Sequence, residues 1–197
     1  MIVLLDNGHG RGCPNGSPDK RIMEYSYARE IARRVRDKLT LKGIEVKMIT
    51  PEEEDIKLQT RCDRVNHYCS KYGKNNCLFI SIHLNAAGSQ GKWMTGEGWE
   101  CYTTKGNTNA DLLAEDLYSA AQSYGFRLRK DQSDGDSDKE SGLYVLKHTQ
   151  CPAVLTENLF QDNREEVDYL LSEKGKGVIT DIHVKGIVSY INRFCKK

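Results

Sequence analysis

The sequence lacks the charge surplus and the long apolar runs that mark two large classes of protein. Its 29 lysines and arginines nearly balance its 28 aspartates and glutamates, which leaves a formal net charge of +1. A protein that binds a phosphate backbone needs a basic surplus, so no nucleic acid is expected as a partner. The longest later apolar run, 78–82, is far too short to span a bilayer, so we expect no membrane insertion.

The first apolar run is also too short to be a secretory signal. It covers Ile2 to Leu5 and is followed directly by Asp6, whereas a signal peptide has a basic start and a longer apolar stretch. We therefore expect a protein made in the cytoplasm without its own Sec signal.

The cysteines do not form a recognisable framework. There are seven of them, an odd number, and no CxxC pair occurs anywhere in the chain. This spacing favours neither a zinc ribbon nor a complete set of disulfides. Because free cysteine is among the most buried residue types, we expect reduced, mostly buried thiols.

What the sequence does contain is a regular alternation of two patterns. Short apolar runs alternate with longer polar stretches in which apolar residues recur every three or four positions. This alternation predicts a single α/β domain with a mainly parallel, twisted central sheet flanked by helices. The predicted strands are 2–6, 44–50, 77–84, 98–104 and 153–159. The predicted helices are 24–42, 58–72, 108–125, 164–172 and 176–192.

The polar segment 131–142 predicts a solvated, mobile loop. Its alternating acids Asp134, Asp136 and Asp138 superficially resemble a calcium-binding loop. However, Lys139 stands where such a loop requires glycine, so we reject a calcium site.

Ionisable residues gather where the predicted strands end. His9 follows the first strand, His83 ends the third, and Glu157 lies within the apolar strand 153–159. Glu24 begins the helix that packs beside the first strand. Because the functional residues of open parallel sheets lie at the carboxyl ends of the strands, we expect these four side chains to lie close together.

Two imidazoles and one carboxylate suit a hydrolytic zinc site. Three protein ligands leave a fourth position to water, and a second carboxylate that is not a ligand can carry the proton. Each of the four residues alone has an ordinary structural interpretation, and their joint occurrence supports the site. Asp6 and Asn85 are candidates for orienting the ligands.

Five motifs in fixed order resemble a known family, the zinc-dependent N-acetylmuramoyl-L-alanine amidases of the third type. These enzymes cut the bond between the lactyl group of muramic acid and the first L-alanine of peptidoglycan. The motifs are DNGHG at 6–10, Glu24 in RIMEYSYARE, SIHLNA at 81–86, GWECY at 98–102 and AVLTENLFQDN at 153–163.

The resemblance implies a role for each residue. His9, Glu24 and His83 would bind one zinc ion, and Glu157 would be the catalytic base and acid. It also implies peptidoglycan as the substrate and residues 1–197 as a single catalytic amidase domain, with no separate cell-wall-binding domain. Without such a domain the chain is similar to a phage or prophage endolysin, released to act on the cell wall. Cys13 is a further soft donor near His9, but the site is complete without it.

Two alternatives stay open. A zinc peptidase could use the same residues to cut within the stem peptide, and a non-catalytic module that binds or regulates at peptidoglycan could keep the fold. The sequence leaves the oligomeric state unknown.

Overall fold

The computed structural model describes residues 1–88, 91–133 and 135–195, so Asp134 of the rejected calcium loop lies outside the described residues. The strands of the described part are β1 (Ile2–Asp6), β2 (Glu45–Met48), β3 (Cys77–Asn85), β4 (Trp99–Thr103), β5 (Lys139–Glu140) and β6 (Ala153–Phe160). The α-helices are α1 (Glu24–Leu41), α2 (Leu58–Tyr72), α3 (Asn109–Ser123), α4 (Tyr144–Lys147), α5 (Arg164–Leu171) and α6 (Glu173–Cys195).

The strands form one sheet in the order β2-β1-β3-β6-β4-β5. Neighbouring strands run parallel except β4 and β6, which are antiparallel. The prediction of an α/β domain with a mainly parallel sheet is therefore confirmed. Strand β3 lies between β1 and β6, and its first six residues are all buried, as expected for a strand covered on both faces.

Helices cover both faces of the sheet. Helices α1, α3 and α6 enclose the larger apolar core on one face. Helices α2 and α4 pack on the smaller core of the other face. In α1 the residues Ile31, Val35 and Leu39 have no exposed surface, which follows from their spacing on one side of the helix. None of the described helices is both long and apolar enough to cross a membrane.

The segment 131–142 differs from its predicted form. Lys139 and Glu140 pair with β4 as strand β5, and Asp138 is buried, where it accepts a hydrogen bond from the Thr103 hydroxyl. The expectation of a solvated loop is wrong for these residues. Polar composition alone could not show this, because Asp138 and the strand residues have partners on β4, which is distant in sequence.

The cysteines follow the prediction as far as their side chains are described. Six of them are free thiols, and all of these except Cys13 are buried. The side chain of Cys195 lies outside the described part of the chain.

Candidate metal centre

Three of the four residues singled out in the sequence converge at the carboxyl end of the sheet. His9 follows β1, His83 lies near the end of β3, and Glu24 begins α1. One ligand atom from each lies within 4.8 Å of the others. Glu24 Oε1 is 3.1 Å from Nδ1 of His83 and 3.4 Å from Nε2 of His9. The fold therefore brings two imidazole nitrogens around one carboxylate oxygen.

The turn after β1 is shaped by Gly8 and His9. A Cβ at Gly8 would lie 2.3 Å from Cε1 of His83, so only glycine leaves room for that imidazole. His9 itself has a φ of 58°, in the left-handed region that few residues other than glycine adopt. The backbone accepts this unfavourable conformation at a residue whose imidazole faces Glu24.

Glu24 is held in place by donors from three other segments. It is 2% exposed, and the backbone N–H of Leu84 donates to its Oε1 at 3.0 Å. The side-chain amides of Asn15 and Gln161 donate to its Oε2 at 3.2 and 3.1 Å. Burial alone would raise the pKa of Glu24, but hydrogen bonds to His83 and His9 lower it below its ordinary value. The carboxylate is thus ionised and preorganised.

A chain of hydrogen bonds orients His83. Its Nε2 lies 3.1 Å from the hydroxyl oxygen of Ser81, and that hydroxyl donates to Asp6 Oδ2 at 2.7 Å. Because the Ser81 proton is directed at Asp6, the Ser81 oxygen is free to accept a hydrogen bond from Nε2 of His83, while Nδ1 of the same ring faces Glu24. Asp6 thus acts on His83 through Ser81. In the part of the chain that the structure describes, the side-chain amide of Asn85 donates to Glu100 Oε1 at 2.7 Å and makes no hydrogen bond to His9, Glu24 or His83.

Arg61 ties the turn to the sheet. It is 2% exposed and donates to Asp6 Oδ1 at 2.7 Å and to the backbone oxygen of His9 at 3.1 Å. A buried cation between an acid and the His9 carbonyl fixes the turn that carries the imidazole. The sequence reasoning missed Arg61, because nothing separates it from the other arginines of the polar helix faces.

Glu157 lies one strand away from the cluster. It is opposite His83 in the β3·β6 register and opposite Glu100 in the β4·β6 register. Its Oε2 is buried and has no hydrogen-bond partner among the residues that the structure describes. Burial, together with the negative charges of Glu24 and Glu100, raises the pKa of Glu157 well above its ordinary value. Burial and these charges therefore favour the protonated, uncharged form of this carboxyl.

An open groove reaches the cluster from the side of α2 and α4. It has a volume of about 380 Å³, and its walls include His9, His83, Arg61, Leu155 and Tyr144. The groove combines apolar walls with the imidazoles, which is the usual character of a site for an organic substrate.

The sequence pattern of the N-acetylmuramoyl-L-alanine amidase family matches residues 3–189. The chain belongs to this family. The resemblance seen in the five motifs is therefore confirmed.

Individual relatives support this placement. The amidase-family chain is 28% identical to an endolysin of Bacillus phage SPP1, an alignment that covers 97% of this chain and 66% of that protein. It is 26% identical to the N-acetylmuramoyl-L-alanine amidase CwlM of Bacillus licheniformis, covering 96% of this chain and 68% of the relative. The chain thus spans about two thirds of the length of these relatives.

A solved structure has the same fold. The crystal structure of an N-acetylmuramoyl-L-alanine amidase from Clostridium difficile 630 superposes with a TM-score of 0.83 at 26% identity, covering 98% of this chain and 97% of that chain. The amidase of Mycobacterium smegmatis is 19% identical, with a TM-score of 0.82, and shows the likeness of the fold alone.

The donor set of this amidase-family member fits zinc. Two imidazoles and one carboxylate are the ligands of a hydrolytic zinc site with an open position. Cys13 is not part of the cluster among the described residues, in line with a site that is complete without it. Asn15 and Gln161, which hold Glu24, were missed in the sequence. Asn15 lies in an irregular loop, and Gln161 directly follows β6.

Proposed function

We propose that this chain is a zinc-dependent N-acetylmuramoyl-L-alanine amidase. It hydrolyses the amide bond between the lactyl group of N-acetylmuramic acid and the L-alanine of peptidoglycan, and so degrades the cell wall. The observation that carries the proposal is the meeting of His9, Glu24 and His83 with Glu157 on the next strand. Four residues from distant parts of the chain supply both a metal-binding set and a separate proton carrier.

His9, Glu24 and His83 hold one zinc ion in this proposal. Zinc bound by such a set acts as a Lewis acid towards an amide carbonyl and lowers the pKa of water. The chain keeps the three donors ready, because Ser81 orients His83 while Asn15 and Leu84 hold the Glu24 carboxylate.

Glu157 carries the proton. As a carboxylate it takes a proton from the attacking water, and as a carboxylic acid it gives that proton to the departing alanine nitrogen. Its raised pKa makes Glu157 a stronger base than an exposed glutamate, so its carboxylate takes the water proton more readily. Its Oε2 has no partner among the described residues, which leaves that oxygen available for the proton.

We also propose that the chain acts as one catalytic domain. Its described strands form one sheet, and residues of these strands belong to the apolar cores on both faces. His9, Glu24 and Glu157 come from its beginning and its end, so the site needs nearly the whole chain.

Mass spectrometry of digested peptidoglycan tests the proposal. We expect stem peptides with a new N-terminal L-alanine and glycan with free lactyl groups, and we expect a chelator to abolish both products. Cuts between stem residues would instead establish the peptidase alternative. No product at all from zinc-loaded protein would support the non-catalytic module.

The variant Glu157→Gln separates proton transfer from metal binding. We expect it to keep one zinc ion per chain and to lose activity by about 100-fold or more. The matched control is Glu115→Gln, an exposed position on α3, which should retain the wild-type rate. A wild-type rate for Glu157→Gln would remove Glu157 from the mechanism.

A further inference from the structure

A second charged cluster lies beside Glu157. It consists of Glu100 on β4, Arg129 in the segment after α3, and Lys139 on β5, and we refer to it as the Glu100 cluster. Arg129 Nε and Lys139 Nζ both donate to Glu100 Oε2, at 2.7 and 2.6 Å. The other carboxylate oxygen accepts from Asn85 and from the Tyr102 hydroxyl, both at 2.7 Å.

The two positive charges of Arg129 and Lys139 are more than the single negative charge of Glu100 can neutralise. Glu100 is 2% exposed and carries one negative charge, so the Glu100 cluster has a surplus of one positive charge. Both cations reach the surface, since the side chains of Arg129 and Lys139 are 37% and 24% exposed. Such a partly exposed surplus attracts an anion from solution.

Arg129 still has donors to offer. Of its three guanidinium nitrogens, only Nε donates a hydrogen bond to another of the described residues, and the guanidinium packs 5.1 Å from the ring centre of Phe160. Held by Glu100 and Phe160, the guanidinium keeps its two terminal nitrogens for another partner. A planar pair of N–H donors matches the two oxygens of a carboxylate.

The strand register places the Glu100 cluster relative to His83 and Glu157. His83, Glu157 and Glu100 are consecutive partners across β3, β6 and β4, so their side chains lie in a row on one face of the sheet. Neighbouring strands lie about 4.8 Å apart. The Glu100 cluster is therefore about 10 Å from His83, on the far side of Glu157.

We propose that Arg129 and Lys139 bind a carboxylate on the stem-peptide residue that directly follows L-alanine. This inference rests on the proposed amidase function, in which Glu157 protonates the leaving alanine nitrogen. The leaving peptide then continues past Glu157 towards the Glu100 cluster. One extended residue spans about 3.5 Å, so the distance from Glu157 to the cluster corresponds to one or two residues.

The test compares an acid with its amide. The probes are N-acetylmuramoyl-L-alanyl-D-glutamate γ-methylamide with a free α-carboxylate and the same compound with an α-carboxamide, so that the glutamate residue carries one carboxylate in the first probe and none in the second. We expect the wild-type chain to cleave the acid with a KM about tenfold lower than that of the amide, a ratio typical of one charge-assisted hydrogen-bonded pair.

The variants Arg129→Gln and Lys139→Gln keep an amide donor for Glu100 but remove a positive charge. We expect each to raise KM for the acid severalfold relative to KM for the amide. The matched control is Arg127→Gln, two positions before Arg129 in the sequence. It removes an exposed cation that is paired with Glu97, and it should change neither KM. An equal rise in KM for both probes, or a loss of kcat alone, would show a merely structural role and overturn the proposal.

A binding measurement separates this inference from the proposed function. NMR titration of the zinc-loaded chain with L-alanyl-D-glutamate γ-methylamide and with its α-amide needs no turnover. Preference for the acid that disappears in Arg129→Gln supports the subsite even if the wild-type chain cleaves neither probe. Equal binding of both dipeptides by the wild-type chain would overturn it, even if amidase activity is present.

Discussion

The imidazole of His83 occupies the space that a side chain at Gly8 would need. A Cβ there would lie 2.3 to 2.6 Å from three atoms of the ring. The glycine of the first motif is therefore coupled to the histidine of the third, although 75 residues separate them in the sequence. This contact explains why the turn after β1 must be free of side chains on that side.

The variant Gly8→Ala should weaken zinc binding without unfolding the protein. The added methyl group must displace the ring, which is the end of a movable side chain, so Nδ1 of His83 leaves its place beside Glu24. We expect the zinc Kd to rise by tenfold or more, measured by competition with a chelator of known affinity. Gly177→Ala, in α6 where nothing lies within 4 Å of the added atom, should leave the Kd unchanged.

The variant Ser81→Ala tests the hydrogen-bond chain to Asp6. Without the hydroxyl, Nε2 of His83 loses its contact at 3.1 Å, and the ring is no longer linked to Asp6. Loss of such a supporting contact costs about 10- to 100-fold in metal affinity. Ser70→Ala, an exposed position on α2, provides the control. Equal zinc affinity for wild type and Ser81→Ala would show that the carboxylate of Glu24 alone orients the ring.

Much of the fold could be predicted, because each long element has its own periodic pattern. Helix α2 spans 58–72 as expected, since its apolar residues recur at helical spacing and Gly73 follows it. Strand β5 and helix α4 were not predicted. With two and four residues they are too short for any periodicity, and they are stabilised by contacts with β4 and α2 instead.

The candidate site was predictable only in part, because some of its residues have no distinctive sequence pattern. His9, His83 and Glu24 stand out because ionisable residues end or adjoin apolar runs. Asn15 and Gln161 hold Glu24 through amides that are ordinary in loops, so their role depends on the tertiary fold. Which carboxylate binds metal and which carries the proton followed from the family resemblance. The roles of His9, Glu24, His83 and Glu157 stay predictions until metal and activity are measured.

Zinc should stabilise the folded chain, because the three donors meet only in the folded state. At a free zinc concentration one hundred times Kd the gain is about 2.7 kcal/mol. For a domain of this size that gain corresponds to a rise in Tm of about 5–10 °C. Differential scanning calorimetry with and without chelator measures it.

His9→Ala should remove the thermal shift on zinc addition. His67→Ala, an exposed histidine on α2, should keep the shift and serves as the control. An unchanged Tm of the wild-type chain in chelator, together with no zinc found by metal analysis, would contradict the metal site.

The zinc-free chain should lose stability as the pH rises, because the pKa of Glu157 is raised by burial and by Glu24 and Glu100. The folded chain keeps a proton that the unfolded chain releases above its ordinary carboxyl pKa. The stabilising contribution is complete below that unfolded value and is lost as the pH rises towards the folded value, at up to about 1.4 kcal/mol per pH unit. Urea unfolding between pH 5 and 8 measures this slope.

Glu157→Gln cannot ionise, so its free energy of unfolding should fall less steeply over the same range. Glu115→Gln, which changes an exposed carboxylate, should keep the wild-type slope. A slope that is the same in all three proteins would mean that Glu157 is already ionised in the folded chain.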